Sequence, residues 1–212
     1  MRKLIAGIHR FQKQHWSENR ELYRRLAEHG QFPDALFITC CDSRVAPLTI
    51  THGQPGDLFI LRNIGNFVPP YSENPLDDSG VAAAVEYAVE HLEVRDIIVC
   101  GHSDCGAMKA LYKERAKFTA TPHIARWLRH GDRTMAVVAA NYPELSREER
   151  YEITAEENVL LQMENLWTYP VVTKAAQEGR LHLHAWYHVI ATGTIFRYSP
   201  ERKQFEPIRE EE

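Results

Sequence analysis

The chain has 212 residues, 44% of them hydrophobic, enough for one domain with a sizeable core. Its 25 basic and 29 acidic residues leave a formal net charge of -4. That bulk charge implies neither a nucleic-acid surface nor an anionic membrane as partner and leaves small neutral or anionic ligands open. No apolar run reaches the length of a membrane-spanning helix. The opening "MRKLIAGIHRF" is interrupted by His9 and Arg10 without a small-residue cleavage site, so a cytosolic protein is expected. Four cysteines are too few for a disulfide scaffold, and in a reducing compartment they point to burial, metal binding or catalysis.

In chain order, Leu4, Ile5, Ile8 and Phe11 share one helical face. A second helix is expected from Ser17 to Gly30, and residues 1–30 together read as a helical arm. "ALFITC" (35–40), "DLFILRN" (57–63) and "DIIVCG" (96–101) are nearly continuous apolar runs, the pattern of parallel strands covered on both faces. "GVAAAVEYAVEHLEV" (80–94) and "CGAMKALYKERAK" (105–117) read as the helices between and after them. The alternation predicts an α/β domain with a mostly parallel central sheet and helices on both faces. Further on, Val159, Leu160, Met163, Leu166 and Trp167 form an apolar stripe that core packing explains, ended or kinked at Pro170. "LHLHAWYHVI" followed across "ATG" by "TIFRYSP" predicts a C-terminal edge strand or hairpin. No repeat or linker divides the chain, which is expected to be one domain: arm 1–30, α/β core 31–205 and a solvated tail 206–212.

The reactive residues fall at strand ends. Cys40 and Cys41 close the first strand, and His102 and Cys105 follow the third. The working crevice of an open α/β sheet lies outside the carboxyl ends of its strands, so these groups converge if strands one and three are neighbours. An isolated H-x-x-C pair is more often a buried cysteine beside a surface histidine. One further thiolate makes two sulfurs and an imidazole, a zinc ligand set with a fourth position for water. Side chains alternate along a strand, so Cys40, Asp42 and Arg44 are expected on the crevice side, with Cys41 and Ser43 turned away. Asp42 could ligate the metal or accept a hydrogen bond from its hydroxide while Arg44 holds it; taken alone, a D-x-R pair is an ordinary loop salt bridge. A vicinal Cys40–Cys41 redox couple would close a strained ring.

"CCDSRV" and "GHSDCGAM" resemble the C-x-D-x-R and H-x-x-C signatures of β-class carbonic anhydrases. "GQFPDALFITCCDSRV", "GQPGDLFILRNIGNFVPPY", "GVAAAVEYAVEHL" and "ENVLLQMENLWTYP" resemble further blocks of that family, in its order and nearest its plant and cyanobacterial branch. The resemblance implies zinc-dependent reversible hydration of CO2 to bicarbonate and a proton, by attack of a zinc-bound hydroxide. It implies one Zn2+ per subunit on Cys40, His102 and Cys105, with Asp42 and Arg44 as the catalytic dyad and Asp42 a fourth ligand only in a closed state. It further implies a substrate pocket at Gln31, Phe59, Ile64, Tyr87 and Gly106, part of it supplied by a neighbouring subunit, in a homodimer or tetramer whose helical arm embraces the partner. Phe37 and Thr39 stand where some members carry a tryptophan and glycine of an inhibitory bicarbonate site, which argues against that regulation here. The implied location is cytoplasmic, or carboxysomal if a C-terminal extension has been removed. Competing readings are a carbonyl sulfide or carbon disulfide hydrolase on the same fold, and a non-catalytic zinc or redox sensor. A phosphate-binding module is disfavoured because "GHSDCG" lacks both G-x-G-x-x-G and G-K-[ST]. His182, His184 and His188 alternate along one strand and are expected to be exposed positions rather than a metal site or an assigned proton shuttle.

Overall fold

In the computed structural model, which describes residues 1–74 and 80–209, six strands form one sheet in the order β2-β1-β3-β4-β5-β6. They are β1 (Ala35–Cys40), β2 (Leu58–Asn63), β3 (Asp96–His102), β4 (His182–Val189), β5 (Thr194–Ser199) and β6 (Gln204–Pro207). The first four run parallel, and β5 and β6 turn back antiparallel. After β1 the chain places β2 on one side of it and β3 on the other, so the connections diverge at β1. That opens a crevice at the carboxyl ends of β1 and β3.

Every residue of β1 is buried, and so is β3 after its first residue, which is why both read as unbroken apolar runs. Leu36, Ile38, Ile97 and Val99 project to one face and join the main core with Val81, Val85 and Val159. Phe37, Ile98 and Cys100 project to the other, where Trp186 meets Phe37 edge-on at 6.0 Å. The run at 57–63 was expected to be covered on both faces, but β2 is the sheet's edge and its residues alternate between half-buried and exposed. Phe59 and Leu61 pack partly against the main core while Ile60 is exposed, so the strand's apolar content serves the core only in part.

The arm is helical but divided differently from the sequence expectation. Helix α1 (Arg2–Arg10) continues through a wide turn, Phe11–His15, to Glu18. The break falls at Asn19, whose backbone leaves the helical region (φ -107°, ψ 22°) while its side-chain amide donates to the His15 carbonyl at 2.8 Å. Ser17 therefore lies inside a helix, and α2 spans Arg20–His29 before Gly30 at φ 86°. Helix α3 (Gly80–Glu86) runs on through Tyr87–His91 as expected. Helix α4 covers only Gly106–Leu111 rather than reaching 117. Past Leu111 the side chains of Lys113 and Glu114 face solvent, and Tyr112 is drawn aside by a 2.7 Å bond between its hydroxyl and Thr154. Local helix propensity there has no buried face to support it.

Helix α5 (Asp132–Asn141) and the short helix Pro122–Trp127 before it were not anticipated. Helix α6 (Arg147–Leu166) opens on a reciprocal cap: the Glu149 N–H donates to the Ser146 hydroxyl, and the Ser146 N–H to the Glu149 carboxylate. Pro170 is the first residue of α7 (Pro170–Gln177), where its missing N–H costs nothing. The tail expected from 206 begins instead as part of β6, fixed by the pair Tyr198↔Phe205, whose rings lie 5.4 Å apart. Residues 210–212 of that tail lie outside the described residues. Of the three β4 histidines, His182 is exposed and His184 is half-buried, paired with Asp96 at 2.7 Å. His188 corrects the expectation: it is buried, opposite His102 in the β3–β4 register, and burial lowers its pKa. Among the described residues, no helix is long and apolar enough to cross a membrane.

Candidate metal centre

Cys40 ends β1 and His102 ends β3, side by side at the crevice. Cys105 follows three residues after His102, as the residue before α4. The turn between them is tight, with Asp104 in the left-handed region at φ 58°. The Cys40 and Cys105 sulfurs and a His102 ring nitrogen all lie within 4.8 Å of one another, and all three residues are buried.

The electrostatics follow from that proximity. The Cys40 thiol is lowered to about 4: the Cys105 thiol donates to its sulfur, burial opposes this, and His102 and the Gly65 N–H add further support. Cys105 is pushed up by the same hydrogen bond and by burial. The two sulfurs thus share one proton, which a bound cation would displace. Cys100, alone on the far face, is pushed up to about 12 by burial. Charge-stabilising partners, more than depth, separate the Cys40 thiol from that of Cys100.

His102 Nδ1 lies 2.8 Å from the Ser103 carbonyl, which can only accept, so Nδ1 carries the proton and Nε2 presents its lone pair. That Nε2 is buried and has no hydrogen-bond partner. An unpartnered buried nitrogen facing two sulfurs costs free energy unless a cation completes it. The donor set of two thiolates and one imidazole fits zinc.

Asp42 stands beside this cluster, its Oδ2 4.0 Å from His102 Nε2. Arg44 grips it: Nη2 donates to Oδ2 at 2.7 Å, while Nε and the backbone N–H donate to Oδ1 at 2.9 and 3.0 Å. These bonds hold the Asp42 carboxyl well below the usual carboxylate range, against a small opposing effect of burial. Strand alternation does not account for Arg44, because β1 ends at Cys40 and the chain turns at Asp42, whose carbonyl accepts the Val45 N–H. The pairing comes instead from a carboxylate bonding to the backbone two residues on. Cys41 is exposed, and its N–H donates to the Asn63 carbonyl.

Three supporting residues escaped the sequence reading. Arg62 clamps the carbonyls of Cys40 (3.1 Å) and Asp42 (2.7 Å), fixing the end of β1. Its signal was a lone arginine inside an apolar strand. Asp104 takes the other side of Arg44, accepting from Nη1 at 2.7 Å through its carboxylate and from Nη2 at 3.2 Å through its carbonyl. It also pairs with Lys109, while its N–H donates to Glu152. Gly65 donates its N–H to Cys40 Sγ at 3.4 Å from a left-handed conformation (φ 79°).

Of the residues expected to line a pocket, Ile64 and Gly106 adjoin the cluster through Gly65 and Cys105 and are exposed. Gln31, Phe59 and Tyr87 stand elsewhere. Phe59 is four residues before Asn63, the partner of Cys40, and hence about 13 Å from that end of the strand. Its ring packs on the half-exposed Tyr87 at 5.8 Å. Gln31 is exposed and precedes the opposite end of β1, about 17 Å from Cys40 by strand rise.

Residues 35–195 match the family model described as carbonic anhydrase. The chain belongs to the β-carbonic anhydrase family. It is 43% identical over 198 residues to a carbonic anhydrase of Synechocystis sp., a match covering 93% of this chain and 71% of that protein. The solved β-carbonic anhydrase CcaA superposes with a TM-score of 0.93 at 41% identity, over 99% of this chain and 92% of that one. One of the tetrameric β-carbonic anhydrases of Sordaria macrospora matches at 29% identity and a TM-score of 0.80, over 92% and 95% of the two chains. β-carbonic anhydrases are zinc-dependent, and this member carries the cysteine–histidine–cysteine group that such dependence requires.

Proposed function

We propose that the chain hydrates CO2 reversibly to bicarbonate and a proton at the cluster of Cys40, His102 and Cys105, holding one zinc ion per subunit. The observation that carries this reading is the unpartnered Nε2 of His102 facing two sulfurs, one of them already poised as a thiolate. Zinc, once bound, supplies the acidity that makes hydroxide available near neutral pH for attack on the carbon of CO2.

The chain's own residues then have separate tasks. Asp42, charged and beside the cluster, accepts a hydrogen bond from water or hydroxide and orients a lone pair toward substrate. Arg44 keeps that carboxylate turned toward itself, and Asp104 keeps Arg44 from leaving. This arrangement favours catalysis over a closed zinc sensor, in which Asp42 would be a permanent fourth ligand. Ile64 and Gly106 border the reacting region. Gln31, Phe59 and Tyr87 complete the pocket from a second copy, since in one chain they stand at the other end of β1 and β2. The exposed apolar stripe Leu4, Ile5, Ile8 and Phe11 on the arm supports a homodimer or a larger homo-oligomer. The four free thiols suit the cytoplasm.

Asp42→Asn tests the division of labour. It should retain full zinc while kcat/KM for CO2 hydration, followed by stopped flow, falls about 10²-fold or more. Unchanged activity with full zinc would remove Asp42 from the reaction.

A further inference from the structure

In addition to support from the neighbouring Asp42 backbone, the Cys40 sulfur accepts the backbone N–H of Gly65 at 3.4 Å, from a segment distant in sequence. The bond depends on the orientation of a single peptide, Ile64–Gly65. A trans peptide points its C=O and N–H in opposite directions, so whatever holds the Ile64 carbonyl aims the Gly65 N–H. That carbonyl accepts the indole N–H of Trp127 at 2.7 Å. The next carbonyl, of Gly65 itself, accepts the Asn158 side-chain amide at 3.0 Å.

The Asn158 amide cannot turn round. The Val68 N–H donates to Gln162 Oε1 at 2.8 Å, which turns Gln162 Nε2 toward Asn158 Oδ1 at 2.9 Å and leaves Asn158 Nδ2 for Gly65. Asn158 and Gln162 are both fully buried, so a reversed amide would face donors with donors at a cost in free energy. Gly65 also sits in close quarters that no side chain fits: a Cβ built on it would lie 2.9 Å from the Ala107 Cβ. Two side chains from distant helical segments thus fix the backbone on both sides of one N–H.

We propose that Trp127 and Asn158 are positioning residues for the metal centre, aiming the Gly65 N–H at Cys40 Sγ and thereby moderating how much charge that sulfur donates to the metal. The inference rests on the zinc reading above and adds residues that touch neither metal nor substrate. An N–H donated to a thiolate withdraws electron density from it, and the groups that orient metal ligands commonly change affinity or activity 10–100-fold when lost.

The decisive variant is Trp127→Phe, which keeps an aromatic ring against Phe67 but lacks the N–H. Asn158→Leu removes the second hold. Tyr169→Phe serves as the control, since it releases the same loop at the Pro69 carbonyl and leaves Trp127, Asn158 and Gln162 in place. Cobalt-substituted protein reports the sulfur directly through its thiolate-to-metal charge-transfer band. In Trp127→Phe that band should move to longer wavelength, with about tenfold lower kcat for the zinc enzyme and unchanged zinc content. Tyr169→Phe should leave the band in place. An unmoved band in Trp127→Phe overturns the proposal, as does an equal shift in Tyr169→Phe, which would mark general loosening. If Asn158→Leu does not fold, the Trp127→Phe result stands alone and decides the matter. A wild type with no thiolate band at all would instead fail the zinc reading, and this one with it.

Discussion

Cys40→Ser should lose zinc and CO2 hydration together, with activity below about a hundredth of wild type, while Cys41→Ser keeps full zinc and activity within about twofold. The two positions are adjacent, yet their surroundings differ in every term that matters for a metal ligand. Cys40 is buried at the end of β1 within 4.8 Å of the Cys105 sulfur and the His102 nitrogen. Its thiol is lowered to about 4, chiefly by the hydrogen bond from Cys105 acting against burial, with the neighbouring His102 ring and the Gly65 N–H adding support. Serine there offers a hydroxyl that stays protonated and binds zinc poorly. Cys41 is exposed, and its backbone bond to Asn63 is one that serine preserves. Metal analysis of the two purified variants beside wild type checks this. Loss of zinc from Cys41→Ser with retention in Cys40→Ser would reverse the assignment.

Gly101→Ala should be strongly destabilising, lowering Tm by about 4–10 °C. Gly101 lies in β3 directly under α6. An added Cβ would sit 2.6 Å from Val159 Cγ2 and 3.2 Å from the Ala155 carbonyl oxygen. Rotation of Val159 relieves the first contact but not the second, which is backbone, so the helix must move away from the sheet. That movement carries Asn158 with it and disturbs His102, the next residue on β3. Zinc affinity should therefore fall along with stability. A thermal melt within a degree of wild type would mean that α6 stands further from β3 than described.

The parts of this chemistry legible in the sequence were those set by local pattern. β1 and β3 announced themselves because buried parallel strands need apolar residues on both faces, and their carboxyl ends named Cys40, His102 and Cys105 before any geometry was available. β2 carried the same signal for a different reason: it is an edge whose apolar side chains remain partly exposed, and periodicity cannot tell a core face from a surface awaiting a partner. The helix expected to 117 stopped at Leu111 because a tertiary bond from Tyr112 to Thr154 overrode propensity. His188 looked like its neighbours on β4 but is buried beside His102, a consequence of register that no single strand reveals.

The supporting shell was the least legible part. Asp104 lay inside the quoted "GHSDCG" without a role, since nothing local says that its carboxylate meets Arg44 sixty residues earlier. Asn158 and Trp127 are separated from Gly65 by 93 and 62 positions, and each acts through a backbone carbonyl, which has no sequence identity to recognise. An amide on the inner face of a long helix is a signal only in retrospect: Asn158, Gln162 and Asn165 recur every three or four residues, the spacing of one buried helical face.

The central claim is that two sulfurs and one imidazole hold the zinc on which CO2 hydration depends. The most direct test measures zinc per chain and stopped-flow CO2 hydration on the same preparation, before chelation, after it and after zinc is returned. One zinc per chain, with hydration lost on chelation and restored by zinc, is the predicted result. A protein that holds one zinc per chain and hydrates no CO2 at any pH would contradict it.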